Sequence, residues 1–208
     1  MKRVKPFVCL AACVFLAACG SKQDANEKNF GAALSDLLAK RGELCVSLGF
    51  RWPVEIPVSN RQPPPTSQEA QLAALEGLGL LKSEIVETDG GFLGGSGGRA
   101  RIQAKRYAVA DAGKPYFHES YAGLAGPAFC YAKTTLDRVE KWDQPVSLGD
   151  YKEVSVTYTV KTVDIAPWVQ TPSIKASFPM IETTLSRQQQ PKHHALKLTN
   201  QGWEAKGL

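Results

Sequence analysis

Residues 154–160 read VSVTYTV, a run in which apolar and polar residues alternate without a break. Alternation with a period of two indicates a β-strand that buries one face and exposes the other to solvent. Shorter strand-like runs occur at 128–133, 136–142 and 195–199. The sequence therefore predicts that residues 119–208 form a half of the protein that is mainly antiparallel β.

Helical patterns come before this β-rich half, within residues 29–118. Phe30 to Leu38 places its apolar residues on one stripe with helical spacing. The pattern TSQE at 66–69 is a capping box, which predicts a second helix with Thr66 as its N-cap. Helices mixed with antiparallel strands indicate an α+β fold, with antiparallel sheets and a few helices.

Residues 66–117 resemble part of a winged-helix domain. A helix ending in Gly-Leu-Leu is followed by strand candidates at 80–87 and 99–110, which flank a glycine-rich loop as the strands of a wing do. A corner of the type Φ-x-Φ-Thr-x-x-Gly follows at 107–113, with alanine in place of the threonine, and the corner recurs at 196–202. The resemblance implies two winged-helix-like halves.

In winged-helix regulators the helix and the basic residues of the wing contact DNA. The wing of this chain carries suitable basic residues at Arg99, Arg101, Lys105 and Arg106. The helix at 68–77, however, carries two glutamates and no lysine or arginine. Phosphate contacts from basic side chains supply much of the affinity for nucleic acid, so we predict no nucleic-acid partner.

The N-terminus has the composition of a secretory signal peptide. Three basic residues, Lys2, Arg3 and Lys5, precede an apolar run of 12 residues at 7–18. That run is shorter than the roughly 20 apolar residues that a membrane-spanning helix needs. Cys19 follows the run, so residues 16–19 read LAAC, and glycine and serine come next.

This ending resembles the lipobox of bacterial lipoproteins. The resemblance implies that residues 1–18 are removed and that Cys19 carries a thioether-linked lipid with fatty acids such as palmitate. Gly20, which is not aspartate, implies sorting to the periplasmic face of the outer membrane, or to the inner membrane if sorting differs. The alternative is an ordinary signal peptide with a cysteine near its cleavage site. The polar residues 19–28 indicate a flexible tether.

Removal of the signal peptide changes the charge and the cysteine count. Three of the 25 basic residues are lost, so 22 basic and 20 acidic residues remain, a net charge of +2. A nearly balanced chain gives no general attraction to acidic partners. Only Cys45 and Cys130 remain besides Cys19, and both lie in apolar surroundings. An oxidising periplasm favours a disulfide between them, while two unlinked buried thiols stay open as the alternative.

The motifs for catalysis lack their structural context. Residues 94–98 match G-x-S-x-G, but a nucleophile elbow needs a strand before Ser96 and a helix after it. His118 has no second histidine four residues on, and the adjacent His193 and His194 would point to opposite faces of a strand. We therefore predict no enzyme activity, no metal or other cofactor, and no small-molecule substrate.

These features predict a membrane-anchored envelope lipoprotein that is not an enzyme. It would act through contact with a protein partner or through support of envelope assembly. The alternative is a periplasmic immunity or inhibitor lipoprotein that neutralises a toxin or a lytic enzyme. Small anchored α+β proteins commonly serve as such inhibitors, so this alternative rests on analogy.

Overall fold

The computed structural model describes residues 21–49, 51–89, 101–120 and 126–207. In these ranges the helices are α1 (Glu27–Arg41), α2 (Gln68–Gly77), α3 (Pro172–Ser177) and α4 (Met180–Arg187). The strands are β1 (Glu43–Ser47), β2 (Val54–Pro57), β3 (Leu81–Asp89), β4 (Arg101–Val109), β5 (Phe117–His118), β6 (Ala128–Trp142), β7 (Val146–Leu148), β8 (Tyr151–Val163), β9 (Lys192–Thr199) and β10 (Gly202–Ala205). Two 3-10 segments, Asp111–Tyr116 and Pro167–Gln170, complete the elements.

The strands form two antiparallel sheets. The large sheet has the order β1-β6-β8-β9-β10, with β5 paired to β6 and β7 paired to β8. The small sheet has the order β2-β4-β3. The predicted α+β fold with antiparallel sheets is therefore confirmed, and the alternating run 154–160 lies within β8, which pairs with β6, β7 and β9. Two winged-helix-like halves are not shown by this arrangement.

β6 joins two runs that the sequence indicated as separate strands, 128–133 and 136–142. It is a single strand of 15 residues. Its pairing with β8 is irregular between Leu136 and Arg138 and again between Val139 and Lys141. The two runs are separated by Thr134 and Thr135, because Thr134 is a buried polar residue whose hydroxyl donates to the Gly42 carbonyl at 2.9 Å. The structure therefore has one long strand where the sequence indicated two.

α1 lies across the large sheet. Asn26 caps its N-terminus by accepting a hydrogen bond from the backbone N–H of Asn29 at 2.9 Å. Gly42 ends it, donating its N–H to the Leu38 carbonyl at 2.7 Å. The buried face of the helix consists of Phe30, Ala33, Leu34 and Leu37. This face has the spacing of an amphipathic helix, and it covers the apolar side of the large sheet.

α2 begins one residue later than the capping-box pattern indicated. The N-cap is Ser67, whose hydroxyl oxygen accepts from the backbone N–H of Ala70 at 3.3 Å. The prediction of Thr66 as the N-cap is therefore wrong. Serine is preferred over threonine at an N-cap, and Ser67 has the extended backbone that the position requires.

The two copies of the winged-helix corner adopt different structures. At 107–113 the chain leaves β4 and enters the 3-10 segment Asp111–Tyr116. At 196–202 it turns from β9 directly back into β10, and the two strands pair with each other. The hydroxyl of Thr199 donates to the Gly202 carbonyl at 2.9 Å inside that turn.

Two apolar clusters form the core, and β6 contributes to both. The first cluster joins Phe129 and Tyr131 of β6 to α2, α3, α4 and the small sheet. The second joins Val139 of β6 to α1, β8, β9 and β10. Among the described residues, no helix has both the length and the hydropathy needed to cross a bilayer.

Candidate functional site

The first described residues, 21–26, lie against the folded body. The side-chain amide of Asn29 donates to the carbonyl oxygens of Ser21 and Asp24, at 2.8 and 2.9 Å. The indole N–H of Trp203 donates to two carbonyl oxygens of the same segment, both at 3.1 Å. The region predicted as a flexible tether, 19–28, is thus held in place over its described part. Its polar backbone finds hydrogen-bond donors in α1 and β10.

Several predicted site residues lie outside the described residues. These are Cys19, the predicted lipidation site, Ser96 in its glycine-rich loop, and Arg99. Ser21, the first residue that the structure describes, is two residues beyond Cys19. The segment that follows the predicted lipidation site therefore has a defined place on the body, next to Trp203.

A cleft of about 460 Å³ opens between β8 and the helices α3 and α4. Its apolar wall is formed by Val160, Ile165, Val169, Ile174, Phe178, Ile181 and Leu185. The volume is in the range of about 300–1,000 Å³ that is typical of ligand pockets. Ile165 is 44% exposed at the mouth of the cleft, whereas Ile174 is fully buried at its base.

Local sequence explains why the helices frame this opening. Pro172 is the first residue of α3, and Pro179 directly precedes α4, so two prolines divide the segment into short helices. Ile181 and Leu185 are four residues apart and turn one face of α4 inward. The side-chain amide of Gln71 on α2 donates to the Ser177 carbonyl at 3.1 Å, which holds the end of α3 in place.

The rim of the cleft is polar and carries more positive than negative charge. Lys161 and Lys175 line it together with one acidic residue, Glu182. Within the described part of the chain, no carboxylate lies at ion-pair distance from either lysine. The cleft thus combines an apolar wall with two lysines and one glutamate at its rim.

Cys45 and Cys130 are joined by a disulfide in the structure. They are direct partners across β1 and β6, next to an irregularity between Leu44 and Cys45. From the sequence, both a disulfide and two free thiols were possible. The bond links positions 85 residues apart. It fastens the edge strand β1 to the long strand β6.

The same region brings together three groups that could ligate a metal: Glu43, His118 and Cys130. Their potential ligand atoms lie within 4.8 Å of one another. The sulfur of Cys130 is already bonded to Cys45, so it cannot act as a thiolate ligand. His118 Nε2 lies 3.5 Å from one carboxylate oxygen of Glu43, and the other oxygen lies 4.0 Å from Lys133 Nζ.

The adjacent histidines of β9 contact different groups. His193 Nδ1 lies 3.0 Å from the hydroxyl of Thr157 on β8. His194 Nε2 lies 3.1 Å from the backbone carbonyl oxygen of Lys206. The structure therefore does not bring these two rings together at one site.

The described basic residues of the wing are engaged in ion pairs. Arg101 contacts Glu87 at 3.3 Å, and Lys105 contacts Glu76 of α2 at 3.4 Å. Arg106 contacts Glu55 at 2.8 Å. Hydrogen bonds from Thr88 and Arg106 lower the pKa of the Glu55 carboxyl below its usual value. The acidic residues of α2 and the small sheet thus balance the positive charge of the wing.

Tyr107 carries the largest described pKa shift. Burial raises the pKa of its hydroxyl to about 12, and the negative charges of Glu76 and Glu69 act in the same direction. The side chain is 1% exposed and belongs to the first apolar cluster. A phenol in these surroundings stays protonated at neutral pH and does not serve as a base.

The sequence interpretation missed the residues that shape both ends of the molecule. Asn29 and Trp203 contact the segment 21–26 only in the folded chain. Trp203 is 180 residues away in sequence from Gln23, whose carbonyl it contacts. The cleft likewise combines β8 with helices that follow it. One usable signal was present, namely the prolines at 172 and 179, which indicate where the helical layer is interrupted.

Comparison of the chain with family models, with curated proteins and with solved structures gives no match.

Proposed function

We propose that this chain is a lipid-anchored envelope protein that works by binding another protein and has no enzymatic role. The lipobox at 16–19 supports the anchor, with the lipid on Cys19. Gly20 supports the periplasmic face of the outer membrane as the location, with the inner membrane as the alternative. The disulfide between Cys45 and Cys130 is compatible with an oxidising compartment.

The observation that carries the binding part of this proposal is the cleft beside β8. Its wall is apolar, and its rim holds Lys161 and Lys175, neither of which forms an ion pair with any carboxylate of the described residues. A partner segment that presents an apolar side chain next to a carboxylate would satisfy both features. Such a segment would bury apolar surface and pair the two lysines at once.

The proposal includes a relationship to winged-helix domains for the wing region only. α2 precedes the β3–β4 hairpin, and β2 pairs along β4, an arrangement that supports kinship with the wing region alone. We propose that it does not bind nucleic acid. Lys105 and Arg106 are paired with glutamates, and α2 contributes Glu69 and Glu76 instead of basic groups.

The anchor is tested by fractionation with a fatty-acid label. The wild-type protein should carry the label and sediment with outer membranes, whereas Cys19→Ser should be unlabelled and released. An unlabelled wild-type protein would contradict the anchor. Sedimentation of labelled protein with inner membranes would keep the anchor and change only the sorting.

The binding role is tested by a photo-crosslinking residue placed at Ile165, at the mouth of the cleft. Ile85 is the control position, because it is also exposed and lies on β3, away from the cleft. We expect one specific adduct from position 165 that disappears when Lys161→Glu and Lys175→Glu are added. The same adducts from both positions would contradict the role of the cleft. A toxin or lytic enzyme as the adduct, inhibited by the purified protein, would assign the inhibitor function.

A further inference from the structure

Apolar side chains are exposed at one end of the large sheet. Leu148 is 81% exposed, Val146 is 71% exposed and Tyr151 is 44% exposed. Val146 and Leu148 alternate with Ser147 on β7, and Leu148 pairs with Tyr151 of β8. The three apolar side chains therefore lie on one face of the β7–β8 hairpin. We call this group the hairpin patch.

The N-terminal segment lies at the same end of the sheet. β8 pairs Glu153 with Lys197 of β9, and β9 pairs Thr199 with Gly202 of β10. These pairings place Leu148 and Gly202 at the same end of the strands, where the β7–β8 and β9–β10 turns occur. They are three strands apart, about 14 Å. The backbone of Lys22 packs against Gly202, where an added Cβ would lie 3.0 Å from the Lys22 carbonyl oxygen.

The distance from this end to Cys19 is limited by covalent geometry. Ser21 is held by Asn29, and only two residue steps separate Ser21 from Cys19. Two extended residues span at most about 7 Å. The headgroup region of a bilayer is about 5–7 Å thick on each side. A lipid on Cys19 would therefore bring this end of the sheet to the membrane surface.

We propose that the hairpin patch inserts into the headgroup region of the membrane that holds the lipid of Cys19. This inference rests on the proposed lipid anchor. The occupant is the bilayer and not a protein, because the chain leaves the body at this end on so short a connection. Tyr151 has the amphipathic ring that favours the membrane interface, and its side chain is 44% exposed.

Charged residues of both signs surround the hairpin patch. Lys206 is paired with Glu153 at 2.7 Å, and it lies over the Tyr151 ring at 5.9 Å. Lys22, Lys152 and Asp150 also lie at this end of the sheet. The cleft lies near the other end of β8, since Val160 is nine residues from Tyr151 along the strand, about 30 Å. Docking would leave the cleft accessible from the periplasm.

The test uses the mature protein purified from envelopes and reconstituted in vesicles of phosphatidylethanolamine and phosphatidylglycerol that contain a nitroxide-labelled lipid. A fluorophore is attached to Leu148→Cys, with Ile85→Cys as the control in the small sheet. Mass spectrometry first establishes that Cys19 is acylated. We expect quenching at position 148 to exceed that at position 85 by about threefold or more, because the control position lies beyond the headgroup region.

A second substitution checks that the patch itself makes the contact. Val146→Asp should reduce the quenching at position 148, since a carboxylate is disfavoured at the interface, whereas Val58→Asp, at another exposed valine, should not. Equal quenching at positions 148 and 85 in acylated protein would overturn membrane docking and leave the anchor intact. Fluorescence that depends on protein concentration and not on the nitroxide would assign the patch to self-association and would also overturn docking. An unacylated Cys19 would remove the anchor and, with it, this inference.

Discussion

Gly42 is the residue on which the junction between α1 and β1 depends. Its carbonyl accepts two hydrogen bonds from Thr134, from the backbone N–H at 2.7 Å and from the hydroxyl at 2.9 Å. A Cβ at this position would lie 2.6 Å from the Thr134 carbonyl oxygen and closer still to that of Leu38. Both neighbours are backbone atoms, so they cannot move without disturbing β6 or the end of the helix.

We predict that Gly42→Ala lowers the free energy of unfolding by about 1–3 kcal/mol through overpacking. Gly77→Ala is the matched control, because a Cβ at Gly77 meets nothing within 4 Å. That variant should be neutral or more stable by up to about 1 kcal/mol, since alanine favours a helix. Denaturant unfolding measures both changes. Equal effects of the two substitutions would contradict the steric argument.

Glu153 is the titratable residue whose partner is most clearly defined. Hydrogen bonds from Lys206, at 2.7 Å, and from Tyr151 lower the pKa of its carboxyl. A lowered pKa in the folded state stabilises the protein above the pKa of the unfolded state. This stabilisation is lost as the pH falls through the folded-state pKa.

We predict that Lys206→Met raises the pKa of Glu153 towards the usual glutamate value and weakens the loss of stability in acid. The carboxyl resonance of Glu153, followed by NMR during a pH titration, measures the shift. Lys40→Met is the control, since Lys40 forms an ion pair of the same length with Asp36 on α1. A Glu153 titration that responds equally to both variants would contradict the assignment.

Residue-level prediction from the sequence succeeded where local chemistry decides and failed where distant parts of the chain meet. The apolar stripe of α1 was predicted, and Phe30, Ala33, Leu34 and Leu37 are buried. The contact of Trp203 with the segment 21–26 depends on the placement of β10 beside α1, which no local pattern encodes. The predicted N-cap of α2 was wrong by one residue, because Thr66 and Ser67 can both cap a helix.

At the scale of elements, the disulfide holds β1 at the edge of the large sheet. It closes a loop between cysteines 85 residues apart. A cross-link of this span restricts the unfolded chain, so its removal should cost about 2–5 kcal/mol. We predict this loss for the double variant Cys45→Ala/Cys130→Ala, measured by denaturant unfolding.

A reductant provides the control for this prediction. It should destabilise the wild-type protein by a similar amount and leave the double variant unchanged. Mass spectrometry of the non-reduced mature protein gives an independent check. If Cys45 and Cys130 are both alkylated under those conditions, the bond is absent and the prediction is wrong.

The elements that the sequence indicated least well are the short and the irregular ones. β7 and β10 have three and four residues, too few for alternation to be recognised. The pattern of β6 was divided at Thr134 and Thr135, which are polar, whereas β8 extends on both sides of the alternating run that predicted it. Long elements with a regular period were found, and their boundaries shifted by one to three residues. The candidate cleft was not foreseen, because β8 and the helices that form it meet only in the tertiary structure.

At the scale of the whole molecule, β6 makes the two apolar clusters interdependent. Its first half contributes Phe129 and Tyr131 to the cluster with α2, α3 and α4. Its second half contributes Val139 to the cluster with α1, β8 and β9. A continuous strand with ladder hydrogen bonds to β1 and β8 is not easily ordered in one half and disordered in the other. We therefore expect the described residues to unfold as one cooperative unit.

This expectation is tested by one cavity in each cluster. Ile174→Ala removes a fully buried side chain from the first cluster, and Phe30→Ala removes one that lies between Trp142 and Trp203 in the second. Each should lower the free energy of unfolding by about 2–5 kcal/mol. Native-state hydrogen exchange should show the same loss for the slowest amides of α2 and of β9 in either variant, because those amides exchange through global unfolding. If Ile174→Ala accelerates exchange in α2 and leaves β9 protected as in the wild type, β6 does not couple the clusters. The cleft end and the anchor end would then unfold independently.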